Sequence, residues 1–147
     1  VSEATKDTPL FRGVRHIGIA VKDSEAAIKL FSSLFEAKHF ETTVSEEHGL
    51  KLTFFQVAGV NVELLEPIRG DVTVAKFLES KGEGFHHIAF EVTDIQKVLA
   101  DLKKAGVKLI DEAPRRGAHG NLIAFVHPSS THGVLIELCQ PVETNSL

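Results

Sequence analysis

Two histidines and two glutamates recur in this sequence in an arrangement that could hold a metal ion. His16 stands near the start of Val14-Arg15-His16-Ile17-Gly18-Ile19-Ala20-Val21, and His87 near the start of Gly84-Phe85-His86-His87-Ile88-Ala89-Phe90-Glu91-Val92. Placing His16 on His87, an offset of 87 − 16 = 71, also sets Ile17 on Ile88, Val21 on Val92 and Asp23 on Asp94. Later in each half, Gly59-Val60-Asn61-Val62-Glu63-Leu64 resembles Gly133-Val134-Leu135-Ile136-Glu137-Leu138, at an offset of 137 − 63 = 74. The pattern is an internal duplication. Each half supplies one histidine on its first strand and one glutamate on its last. A lone histidine at a strand start is usually structural, and a glutamate on an exposed sheet face needs no explanation. Recurrence of both residues weighs against those readings. A carboxylate within a strand of Val, Ile and Leu is costly unless it is paired, solvated or bound to metal.

Two imidazoles and two carboxylates suit one divalent first-row ion per chain, without choosing among Co²⁺, Mn²⁺, Ni²⁺ and Zn²⁺. With coordination positions left for substrate, such an ion acts as a Lewis acid on a carbonyl and stabilises negative charge on oxygen. That suits reactions that pass through an enolate. The metal ligands expected are therefore His16, Glu63, His87 and Glu137. His86 alternates away from His87 and reads as a supporting or structural residue. His119, in the glycine-flanked run Gly117-Ala118-His119-Gly120, suits a substrate contact. Cys139 shares the face of Glu137 and reads as a small packing residue.

The elements that must position these residues follow from periodicity. Val14 to Val21 alternates as a strand, with His16, Gly18 and Ala20 on one face and Ile17, Ile19 and Val21 packed under a helix. The small residues leave open space beside His16. Asp23 or Ser24 can cap the helix carrying Ala26, Ala27, Leu30, Phe31 and Leu34. A short strand is expected over 40–44. A hairpin is expected over 50–57 and 60–65, turning at Ala58-Gly59. A linking helix is expected over 72–80. The second half repeats the plan. It has a strand over 85–92, a helix over 95–105 capped by Asp94 and stopped by Gly106, and an extended stretch over 107–110. A loop over 114–120 and a closing hairpin of 121–126 with 134–139 complete it. The fold class is α+β: two tandem βαβββ modules forming a curved sheet around a metal-binding cleft, with helices outside. Residues 1–12 form an N-terminal tail, 13–140 one domain with modules of about 14–70 and 85–140, and 141–147 a C-terminal tail.

Bulk properties bound the alternatives. A chain of 147 residues that is 43% hydrophobic and 24% charged has a globular composition. A net charge of −4 gives no reason to expect nucleic acid, and no apolar run reaches the length of a membrane span. The single Cys139 excludes an internal disulfide.

The sequence resembles the vicinal oxygen chelate superfamily, whose fold is paired βαβββ modules, and within it the methylmalonyl-CoA epimerases. The resemblance spans roughly residues 14–140. It rests on Arg15-His16-Ile17-Gly18-Ile19-Ala20-Val21, Val62-Glu63-Leu64-Leu65-Glu66-Pro67, Phe85-His86-His87-Ile88, Gly117-Ala118-His119-Gly120, Phe125-Val126-His127-Pro128 and Gly133 to Leu138. It implies that His16, Glu63, His87 and Glu137 hold the metal. It also implies an acyl-CoA substrate, with interconversion of (2R)- and (2S)-methylmalonyl-CoA by proton abstraction through a metal-stabilised enolate. A homodimer is implied too, in the cytoplasm of a bacterium or archaeon or the mitochondrial matrix of an animal. Bacterial relatives carry a catalytic glutamate three residues after the glycine matching Gly49. Here that position is Leu52, which cannot move a proton. Glu137 remains one candidate base, and Glu63, His119, a metal-bound water or the loop Glu46 to His48 could supply the second. Two other functions fit the same fold: glyoxalase I (lactoylglutathione lyase), which works through an enediolate, and a non-catalytic small-molecule-binding protein.

Overall fold

A computed structural model describes residues 9–117 and 119–142. The tail residues 1–8 and 143–147, and Ala118 of the Gly117 to Gly120 run, lie outside the described residues. The chain is α+β, with eight strands and three α-helices among the described residues. It divides into two compact units, one of residues 15–89 and one that joins the segment up to Val14 with Phe90 onward. Strands β1 (Phe11–Ala20) and β5 (Gly84–Val92) each contribute residues to both units.

The unit of residues 15–89 contains α1 (Ser24–Leu34), β2 (Lys38–Ser45), β3 (Leu50–Val57), β4 (Val60–Pro67) and α2 (Thr73–Lys81). Its strands lie in the order β2-β3-β4-β1-β5. Asp23 caps α1 by accepting a hydrogen bond from the Ala26 amide at 3.2 Å. The β3–β4 hairpin turns at Ala58 and Gly59, whose φ angles of 48° and 83° are the left-handed pair that a two-residue hairpin needs. β1 then lies parallel to β4, with Gly18 opposite Glu63.

Side-chain alternation gives this sheet two distinct faces. Ile19, Val21, Phe55, Val62 and Leu64 face α1, where Ala27, Ile28 and Phe31 cover them. Ala20, Leu52, Leu65 and Phe54 occupy the opposite face, the one that carries His16 and Glu63. Val74, Phe77 and Leu78 of α2 pack there. The expectation of helices on the outer face holds for α1, whereas α2 covers one end of the face that bears the candidate ligands. Its apolar stripe packs on Ala20, Leu52 and Leu65, the side of the sheet opposite the one that α1 covers.

The second unit contains α3 (Ile95–Lys104), β6 (Arg115–Arg116), β7 (Leu122–Val126) and β8 (Ile136–Gln140). Its strands run β5-β8-β7-β6. Val98 and Leu99 of α3 pack on Val92, Ala124, Val126 and Leu138. Asp94 caps α3 through the Lys97 amide, and the Gln140 side chain accepts from the Ile95 amide at 2.9 Å. Two local expectations, the start of β1 and the loop over 114–120, differ from the structure. β1 begins at Phe11, three residues before the alternation predicts, because the Leu10 carbonyl accepts from the Thr93 amide and Phe11 meets Phe90 edge-on. Within the expected loop over 114–120, Arg115 and Arg116 pair with Ile123 and Leu122 as a short strand. The stretch over 107–110 is extended as expected: Leu109 bridges Val126, the Ile110 amide donates to the Phe125 carbonyl and the His127 amide donates to the Lys108 carbonyl. No described helix is long and apolar enough to cross a membrane.

Candidate metal centre

Register builds the site. Phe54 of β3 lies opposite Glu63 of β4, and Glu63 lies opposite Gly18 of β1. His16 stands one pleat away on the same face of β1. The row thus reads Phe54, Glu63, Gly18, and at Gly18 it has no side chain. The His87 ring from β5 fills that gap: a Cβ built on Gly18 would lie 2.2 Å from His87 Cε1 and 2.3 Å from Nδ1. The open space expected beside His16 is therefore occupied by the second histidine.

The three side chains converge. His16 Nε2 is 3.0 Å from His87 Nε2, His16 Nε2 is 3.7 Å from one Glu63 oxygen, and His87 Nε2 is 3.7 Å from the other. All three residues are buried, His87 almost completely at 1% exposure. Phe54 meets the His16 ring edge-on at 6.2 Å between centroids, an apolar wall beside the donors. Burial lowers the His87 pKa well below 6.5, and the neighbouring His16 and His86 push it the same way. His87 is therefore held neutral, the form that binds metal. His86 is lowered to about 4, first by burial and then by Lys81.

These residues fit a metal ion on donor chemistry. Two ligand atoms each about 2.1 Å from one ion lie roughly 3.0 to 3.4 Å apart at octahedral or tetrahedral angles. The observed spacings of 3.0 and 3.7 Å bracket that range. The burial of Glu63 removes the exposed-face explanation for its place in an apolar strand.

The remaining candidates take defined places. Glu137 lies on β8 in the other unit, opposite Phe125, and is buried at 7% exposure. Its strand neighbours Ile136 and Leu138 point into the core under α3, so Glu137 is on the other face, as Glu63 is on β4. Cys139 is buried two residues further along that strand, consistent with packing. His119 is exposed in a loop anchored by the Arg116 guanidinium, which donates to the Gly120 carbonyl at 2.9 Å. Leu52 is buried among Ala20, Leu65, Val74 and Leu78. In the loop Glu46 to His48, the backbone carbonyls of Glu46 and Glu47 accept from Arg69, and both glutamates are exposed. Sequence reasoning missed the cradle role of Gly18, whereas its reading of His86 as a supporting or structural residue accords with the 2.9 Å contact between His86 Nδ1 and His87 Nδ1. The glycine on the face of His16 was the available signal.

Comparison with known proteins accords with this architecture. Residues 15–125 match the model of the Glyoxalase/Bleomycin resistance protein/Dioxygenase superfamily. The chain is 42% identical over 126 residues to the uncharacterized protein YqjC of Bacillus subtilis (strain 168), covering 86% of this chain and 90% of that protein. It is 37% identical over 128 residues to the mitochondrial methylmalonyl-CoA epimerase of Homo sapiens, covering 86% of this chain and 73% of that protein. A solved methylmalonyl-CoA epimerase in complex with methylmalonyl-CoA and NH4+ superposes with a TM-score of 0.84 at 36% identity, over 93% of this chain and 99% of that one. The chain belongs to the glyoxalase superfamily and, within it, to the methylmalonyl-CoA epimerase family.

Proposed function

We propose that this protein interconverts (2R)- and (2S)-methylmalonyl-CoA and that His16, Glu63, His87 and Glu137 hold one divalent metal ion for that reaction. The observation that carries the reading is the buried His16, Glu63 and His87 cluster in a chain related to methylmalonyl-CoA epimerases. The buried Glu137, duplicate of Glu63 in sequence, supports the fourth ligand. When bound, the ion would supply Lewis acidity to the substrate's carbonyl oxygens and so lower the barrier to losing the α-proton.

The rest is work for the chain's own side chains. The α-proton lies between a thioester and a carboxylate. A Glu137 carboxylate oxygen takes it, the C–H electron pair moves into the thioester carbonyl, and the α-carbon becomes planar. Return of a proton to the opposite face inverts the centre. Leu52 can take no part. Glu63 and His119 are the candidates for the second proton position. Phe54 and the apolar cluster behind it keep bulk water from the His16 side.

The test follows stereochemistry and label together in deuterated water. Metal-loaded protein should convert one epimer to the other and place deuterium at the α-carbon, and Glu137→Gln should be severely impaired. Conversion of the hemithioacetal of methylglyoxal and glutathione, with no change of configuration in methylmalonyl-CoA, would replace this assignment by a glyoxalase.

A further inference from the structure

Successive side chains on a strand point to opposite faces, so adjacent residues rarely share a hydrogen bond. His86 and His87 do: their Nδ1 atoms are 2.9 Å apart. The other nitrogen of His87, Nε2, is the one directed at His16 and Glu63. The two nitrogens of the His87 ring therefore have separate tasks. A nitrogen that ligates metal must present a lone pair, and a neutral imidazole carries a single N–H. If Nε2 is the ligand, that hydrogen sits on Nδ1, and Nδ1 donates to His86.

We propose that His86 is a positioning residue for the metal centre, its Nδ1 accepting the Nδ1–H of His87 and so fixing the tautomer whose Nε2 lone pair faces His16 and Glu63. The inference rests on the metal-centre reading above. The acceptor is itself held in place. The Phe77 ring of α2 meets His86 edge-on, with centroids 4.9 Å apart and planes at 72°. Lys81, one turn further along α2, lies over the same Phe77 ring at 5.5 Å. Gly18 supplies the floor on which the His87 ring rests. The ring thus has a floor, an anchored Nδ1 and a directed Nε2. This ties α2 to the site: its stripe packs the apolar end of the face and also fixes the residue that orients a ligand.

Long-range proton–nitrogen NMR of the histidine rings, in metal-free and Zn²⁺-loaded wild-type protein, reads the tautomer directly. His87 should carry its hydrogen on Nδ1 in both states. Competition of Zn²⁺ between the protein and a chromophoric chelator then measures affinity. His86→Leu, which keeps an apolar contact for Phe77 but removes the acceptor, should weaken Zn²⁺ binding about 10- to 100-fold. His86→Asn, whose side-chain carbonyl falls near the place of Nδ1, should restore most of it. Wild-type affinity in His86→Leu, or an Nε2–H tautomer of His87 in the wild type, overturns the proposal. Should His86→Leu fail to fold, the wild-type spectrum and His86→Asn still decide. His87→Ala separates the two levels. If it binds Zn²⁺ as tightly as wild type, the metal-centre reading fails; if it loses Zn²⁺ while His86→Leu does not, only the role of His86 fails.

Discussion

Gly18→Ala is the substitution that the geometry predicts most sharply. The added Cβ would lie 2.2 Å from His87 Cε1, against about 3.4 Å for ordinary contact, so the ring must move by 3.4 − 2.2 = 1.2 Å or the strands must part. His87 cannot swing aside, because it is buried at 1% exposure and its Nδ1 is held by His86. Overpacking of this kind costs about 1–3 kcal/mol of stability. At about 2–4 °C per kcal/mol for a chain of this size, the melting temperature should fall by several degrees. The larger loss should be functional, since a misplacement of about 1 Å in a reacting constellation can cost on the order of 100-fold. Isothermal titration with a divalent ion, a thermal melt and epimerase turnover measure the three effects. Gly70→Ala is the control: nothing lies within 4 Å of its added Cβ, and the change should be nearly neutral. Wild-type metal affinity and turnover in Gly18→Ala would refute the argument that a glycine is required under the His87 ring.

Leu52→Ala should retain most turnover per folded molecule while losing about 2–5 kcal/mol of stability in urea melts, because Leu52 is a core residue beside the site rather than a proton carrier. Turnover that falls with stability unchanged would contradict that placement. His119→Ala should slow epimerisation and deuterium incorporation together, and equal rates in both assays would return His119 to an ordinary exposed loop residue. Acid should destabilise the metal-free protein in a defined window. His86 is lowered to about 4 from 6.5, so the unfolded chain binds its proton first as pH falls. The stabilisation is complete above pH 6.5 and is lost between 6.5 and about 4. His87, also lowered, adds in the same direction. Urea melts between about pH 7.5 and pH 5 should show it, and His86→Leu should flatten the dependence.

The local pattern of residues determined much of this protein. Alternation marked β1, β3, β4 and β5. Asp23 and Asp94 marked the starts of α1 and α3, and Ala58-Gly59 marked the β3–β4 turn, because each of these depends on atoms a few residues apart. The duplication of His16 with His87 and Glu63 with Glu137 marks the candidate ligands by sequence pattern alone. Tertiary structure alone decided how these residues meet. Parallel pairing sets Gly18 beside Glu63 across a separation of 63 − 18 = 45 residues, and no local period encodes that register. The missing side chain at Gly18 then matters only because β5 lies next to β1 and lays the His87 ring over it. Alternation likewise sends His86 away from His87, yet the packing of Phe77 holds the two rings within a hydrogen bond. Periodicity reports which way a side chain leaves the backbone; the neighbouring strand and helix decide what it touches.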